Sequence, residues 1–178
     1  QTNAPALMDV ETSGACGDNL TWNYDEATGT LTISGTGDMY DCRYSDSAPW
    51  HDFKLNTLVI CPGITSIGNR AFEECSGFSG ELIVPEGVTK IGYCAFQGCS
   101  GFSGKLKLPD SVLIIGDNAF YGCRGFTGEL LIPDAVTSIG GGAFQGCRGL
   151  TGDLTIPNSV TSLGAGAFYG WGGDLFFS

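Results

Sequence analysis

The chain has 178 residues, and its 29 glycines and 7 prolines make up a fifth of it, against roughly an eighth in average proteins. At 42% hydrophobic and 11% aromatic it is too apolar for a solvated disordered polymer, and it is long enough to bury one core without staples or metals. Lys and Arg number 8 against 19 Asp and Glu, a net charge of −11, which excludes the clustered cations that nucleic-acid binding rests on.

No apolar run approaches the roughly 18 residues of a membrane span, so no direct membrane insertion is expected. The chain opens on Gln1 without a basic and apolar leader, which reads as a soluble chain from which any targeting segment has been removed. Residues 1–12 are expected to form a flexible leader and 13–56 a β-rich amino-terminal cap. Within the cap, NLTWNYDEATGTLTISG at 19–35 is two alternating runs around Asp25, Glu26, Ala27, Thr28 and Gly29, the signal of a hairpin. Trp22, Trp50 and Phe53 are expected to cover the first of the units that follow.

From there the pair Ala-Phe recurs at Ala71-Phe72, Ala95-Phe96, Ala119-Phe120, Ala143-Phe144 and Ala167-Phe168, at one constant interval. Five units, 57–80, 81–104, 105–128, 129–152 and 153–176, align without a gap, and the second and fourth are identical at more than half of their positions. Leu82 and Val84 alternate with Ile83, which predicts a short half-buried strand closed by Pro85. Val88 and Ile91 bury a second extended segment ended by Gly92. Ala95, Phe96 and Cys99 have the spacing of one face of a helical turn. No unit can bury its own apolar columns, so the units must stack as a solenoid, like residue over like. Phe72, Phe96, Phe120, Phe144 and Phe168 then form one ladder, and Phe78, Phe102 and Phe126 a second continued by Leu150. Recurrent glycines such as Gly116 mark corners where the chain turns tightly or passes close to the next coil.

The unit resembles the BspA-like bacterial leucine-rich repeats, centred on I-P-x-x-V-T-x-I-G-x-x-A-F-x-x-C: VPEGVTKIGYCAFQGC at 84–99 and IPDAVTSIGGGAFQGC at 132–147 carry it almost unchanged. CGDNLTWNYDEATGTLTISGTGDMYD at 16–41 resembles the segment that often precedes such repeats. The resemblance implies a secreted or cell-surface bacterial protein, whose characterised relatives act in adhesion to host matrix proteins, host cells or other bacteria; it supplies no catalytic residues. Cys61 in the proline column and Glu74 in a glycine column make the first unit depart from the pattern, as a junction with the cap would. The fold expected is thus a β-rich solenoid of leucine-rich-repeat type over 57–176, with two short strands and a helical turn per coil behind an amino-terminal β cap.

Eight cysteines in an extracellular chain invite a disulfide framework. Cys75, Cys99, Cys123 and Cys147 instead recur at the repeat interval, so they are expected to point into the core in parallel as small hydrophobes with poor bridging geometry. A bridge among Cys16, Cys42 and Cys61 stays open, and Cys94 has no evident partner. The zinc spacing is absent, and no cofactor or metal is expected. His51, the only histidine, lies between Trp50 and Asp52 in the cap, where a structural role is expected. GTGDMYD at 35–41 lacks the spacing of a calcium loop. Glu73 and Glu74 are expected on a solvated turn surface. Asn19-Leu20-Thr21 is a formal glycosylation acceptor without expected meaning in a bacterial chain.

Function is sought in side chains that stacking does not use. Ile83 and Lys107 lie in the outward column Val59, Ile83, Lys107, Leu131, Thr155, and Lys90 and Ile114 in the column Ser66, Lys90, Ile114, Ser138, Ser162. Leu113 breaks a neighbouring threonine column, and with Ile114 it is expected to form an exposed apolar spot. Tyr121 beside Arg124 and Arg148 offers residue types enriched at interface hot spots. These eight are the candidate binding residues. The expected function is a non-enzymatic binding or adhesion module whose partner is a protein or glycan on host matrix or neighbouring cells. A structural spacer is the first alternative, and a carbohydrate hydrolase with paired carboxylates the second.

Overall fold

Leu20, Trp22 and Tyr24 alternate with Thr21, Asn23 and Asp25, as do Leu31 and Ile33 with Thr30, Thr32 and Ser34, and in both runs the apolar set is the buried one. A computed structural model describes residues 11–44 and 47–178; most of the leader expected over 1–12 lies outside them. The two runs are β2 (Leu20–Asp25) and β3 (Thr30–Gly35), paired antiparallel from Leu20 opposite Gly35 to Asp25 opposite Thr30. At the tip Asp25 accepts from the Ala27 amide and the Thr28 hydroxyl at 2.9 Å each, which holds its carboxyl below the usual carboxylate range. β1 (Ser13–Gly17) flanks β2 antiparallel.

The hairpin does not stand apart from the repeats. β5 (Thr57–Ile60) adds to β3 in parallel, giving the sheet order β1-β2-β3-β5. A second sheet begins at β4 (Gly37–Asp38) and continues through β6 (Ile64–Ile67), β7 (Lys90–Ile91), β8 (Ile114–Ile115), β9 (Ser138–Ile139) and β11 (Ser162–Leu163), all parallel. Its register follows the repeat interval, with Ser66, Lys90, Ile114, Ser138 and Ser162 side by side facing out and Ile67, Ile91, Ile115 and Ile139 facing in. The threonine column helps: Thr89, Thr137 and Thr161 each donate a hydroxyl bond to the carbonyl 24 residues back.

The predicted helical turn does not form. Ala95, Gln97 and Cys99 donate to carbonyls three residues back in their own turn, at 3.3, 3.2 and 3.1 Å, whereas Cys94, Phe96 and Gly98 donate to Asp117, Ala119 and Tyr121 of the next coil, at 2.9, 2.8 and 2.8 Å. Left-handed residues re-aim every second amide sideways: Arg70, Cys94 and Asn118 have φ of 56°, 52° and 54°. Hydrogen bonding that a helix would keep within the turn thereby joins one coil to the next.

The first-strand column also departs from expectation. Strands form there only at the two ends of the stack, as β5 and as β10 (Leu154–Ile156), which pairs with β12 (Leu175–Phe177). In the three middle coils the segments 81–84, 105–108 and 129–132 keep the buried–exposed alternation but share one isolated bridge, Ile83 to Lys107. The first phenylalanine ladder stacks at 5.2, 5.4, 5.4 and 5.3 Å and the second at 5.3 and 6.0 Å. Beside the second ladder the coils stay paired, through the bridges Gly80 to Phe102, Gly104 to Phe126 and Gly128 to Leu150, so the loss is confined to the first-strand segments.

Trp50 closes the amino-terminal end of the first ladder. Its ring stacks on Phe72 at 5.6 Å and meets Trp22 edge-on at 5.9 Å, and Phe53 stacks on Tyr24 at 4.4 Å. At the other end Trp171, standing in the cysteine column, packs edge-on against Phe168 and donates its indole N–H to Gly152.

Candidate binding surface

Along the sparsely paired first-strand segments two adjoining clefts open. One, of about 520 Å³, lies between segments 105–110 and 129–134; the other, of about 380 Å³, lies between 81–86 and 105–109. Lys105 and Lys107 line both. Ile83 and Leu131 lie along the clefts at 68% and 77% exposed, and the carboxylates of Glu81, Glu86, Asp110, Glu129 and Asp134 border them. The floor is apolar and the rim alternates in charge, a surface suited to an extended amphipathic segment.

Of the predicted site residues, Ile83 and Lys107 come together here as cross-coil partners. Lys90 and Ile114 are side by side in the continuous sheet, with Leu113 next to them, and both apolar side chains are exposed. Tyr121, Arg124 and Arg148 are exposed on the turns. None of these six lines the clefts. Lys105 and Leu131 were missed as site residues. The available signal was Lys105 interrupting the acidic column of Glu81, Glu129 and Asp153.

Glu73 is a correction to the solvated pair expected at 73–74. It is 4% exposed, and Arg70 donates two bonds to its carboxylate, at 2.9 and 2.6 Å, in the one ion pair among the described residues. The same guanidinium lies 4.7 Å from the centre of the Tyr93 ring. Only Glu74 faces solvent.

The carboxylates of 35–41 are spent on joining the cap to the first coil. Asp38 accepts from Thr65 at 2.6 Å, and the hydroxyls of Thr65 and Ser66 hold its carboxyl below the usual range. Asp41 accepts from the backbone and side-chain amides of Asn69, at 2.7 and 2.9 Å. Asn69 in turn accepts from the Tyr93 amide, and two coils on Asp117 accepts from Gly141.

The cysteine column points inward and is buried. Cys99, Cys123 and Cys147 donate S–H bonds of 2.9, 3.0 and 3.0 Å to the carbonyls of Phe72, Phe96 and Phe120 in the preceding coil. Burial pushes the Cys75 and Cys147 thiols up to about 12, and those of Cys99 and Cys123 well above the ordinary value. All eight thiols are free.

A parallel ladder of short strands, phenylalanines and thiols, recurring coil after coil at one interval, defines a leucine-rich-repeat solenoid of about six turns. The chain belongs to the BspA-type leucine-rich-repeat family, whose family model matches residues 46–172 in six copies. That match begins within the segment expected to be the cap, which also holds Trp50, the ring stacked on Phe72. Among solved structures, a leucine-rich repeat protein from Eubacterium ventriosum is similar at 28% identity and a TM-score of 0.68, over 85% of this chain and 39% of its own. A leucine-rich cell surface protein from Faecalibacterium prausnitzii is similar in fold at 23% identity and a TM-score of 0.60, over 91% of this chain and 53% of its own. The chain therefore spans about half or less of these relatives. None of the curated proteins compared matches it.

Proposed function

We propose that the chain is a non-catalytic protein-binding module of a secreted or cell-surface bacterial protein, with 13–56 as a β-rich cap and 57–176 as the repeats that carry the partner. The observation that supports it is the pair of adjoining clefts along segments 81–86, 105–110 and 129–134, where exposed Ile83 and Leu131 flank extended backbone that pairs with little else. Membership in a family of generally non-enzymatic surface repeats agrees with it. The partner presents an extended segment with apolar side chains set between charges, on host matrix or on a neighbouring cell.

The test is surface plasmon resonance against immobilised matrix proteins and mucins, comparing the parent with Ile83→Asp/Leu131→Asp. Both side chains are exposed, so the melting curve is expected to stay within about 1 kcal/mol of the parent, while affinity for any bound matrix protein falls at least about tenfold. Binding retained by that variant overturns the assignment of the face. Binding unaffected by disruption of every outward column makes the chain a spacer.

A further inference from the structure

One pair of thiols lies outside the repeat ladder and shares a cleft. β1 pairs with β2 through Ser13, Gly14, Ala15 and Gly17, and the register slips at Cys16. Such a bulge turns the extra residue out of its own ladder. Here the Cys16 carbonyl accepts instead from the Tyr40 amide at 2.7 Å, which lays the segment 39–42 beside it. Cys42, two residues on and tied to the first coil through Asn69, is half-buried against the same core. Both cysteines line a cleft of about 350 Å³ that also holds Asp41, Ser47 and Trp50.

We propose that Cys16 and Cys42 are a redox-active pair, oxidised by thiol–disulfide exchange to a bond that fastens β1 to the segment 39–42, the part of the cap bonded to the first coil at Asn69. The co-reactant is a small-molecule or protein disulfide. Cys42 attacks it first, being the more exposed of the two, half-buried where Cys16 is buried. The attack breaks the co-reactant's S–S bond, forms a mixed disulfide and releases one thiol. Cys16, whose thiol burial pushes up to about 11, then attacks the Cys42 sulfur and releases the second thiol. The two protons lost by the cysteines end on the two released thiols, and two electrons pass to the co-reactant.

The remaining cysteines are placed otherwise. Cys61 follows β5, and β2 and β3 lie between β5 and β1. Three strand spacings make roughly 14 Å, beyond bridging reach. Cys94 donates to the Gln97 side-chain carbonyl, and Cys99, Cys123 and Cys147 are bonded to backbone carbonyls. Cys75 is the nearest competitor, because the Cys42 charge also bears on it, but it does not line the cleft.

The whole folded chain is treated with oxidised glutathione at about pH 8.5, near the thiol's ordinary value. Its remaining thiols are counted and blocked by alkylation once urea has exposed the buried column, and it is then digested with Glu-C and trypsin. The pair's fragments are 12–26 and 27–43, and Cys61 and Cys75 fall on others. The expected result is a fall from eight titratable thiols to six, with 12–26 linked to 27–43. The oxidised form is also expected to melt higher than the reduced form, a gain that Cys16→Ser and Cys42→Ser both lose. Glutathione adducts alone, a link from Cys42 to Cys75 or Cys61, or eight thiols left intact would each overturn the proposal.

Discussion

The Trp50 indole performs a task that backbone performs elsewhere. Phe72, Phe96, Phe120 and Phe144 each donate an amide bond to the alanine carbonyl of the next coil, and the Ala71 carbonyl receives the Trp50 indole N–H at 2.9 Å. Trp50→Phe keeps a ring over Phe72 but leaves that carbonyl buried and unpaired, so it is expected to cost about 1–3 kcal/mol in urea unfolding. The thiol column makes a second prediction at this scale. Its folded-state thiols stay protonated far above the value of an unfolded cysteine, so between about pH 9 and 12 the unfolded chain binds fewer protons than the native one. Stability is therefore full below about pH 8.5 and falls as pH rises, by up to about 1.4 kcal/mol per unit for each such thiol. Cys99→Ala/Cys123→Ala is expected to start less stable yet lose less between about pH 8 and 10.5; an unchanged slope would assign the alkaline loss to tyrosines and lysines.

The element scale turns on why coils sit so close at the corners. A Cβ on Gly116 would stand 2.7 Å from the carbonyl carbon of Gly92 and 2.8 Å from its oxygen, which are backbone and cannot step aside. Gly116→Val is expected to cost about 3 kcal/mol or more. Gly122 separates that effect from conformation: φ is 72° there and nothing lies within 4 Å of its Cβ position, so Gly122→Ala is expected to cost only the left-handed penalty of about 1–2 kcal/mol. Urea midpoints check both, and equal losses would remove the close-approach account. The corner at Gly116 was legible because its column repeats. The left-handed Arg70, Cys94 and Asn118 were not, because three different side chains occupy one backbone state and the spacing of Ala95, Phe96 and Cys99 that follows imitates a helix. Glu73 was hidden for a related reason: its burial depends on Arg70 three residues earlier, a pairing of the first coil that the later coils do not repeat.

At the scale of the whole molecule, the period carried the ladders, the parallel register and the family resemblance, since each column is a vote cast five times. Features made once escaped it. Trp50 falls just short of one full period before Phe72, so the first ladder's end was legible as a cover and not as a turn of the solenoid. The clefts escaped because the strand pattern persists in 81–84, 105–108 and 129–132 although these segments share only one bridge, which the residue pattern does not display.

If coils contact only their neighbours, a whole unit is removable without disturbing the others. Deleting residues 105–128 joins Gly104 to Glu129 and leaves Phe96 and Phe144, Cys99 and Cys147, and Ile91 and Ile139 each one period apart. The shortened chain is expected to keep the parent's circular dichroism shape and a single cooperative melt. Its stability should be lower by about 1–4 kcal/mol, the share of one unit at about 0.05–0.15 kcal/mol per residue. Deleting 105–124 removes fewer residues but shifts every later column by four positions, setting Phe144 beside glycine and polar neighbours, and is expected to leave no cooperative transition. A 105–124 deletion that melts like the 105–128 deletion would show that the columns do not set the register. The same 105–128 deletion removes Lys105 and Lys107 and with them both clefts, so it is expected to fold and yet lose the partner. Stacking and binding are thus separable in one variant, because the first depends on what each coil shares with the next and the second on what these coils do not share.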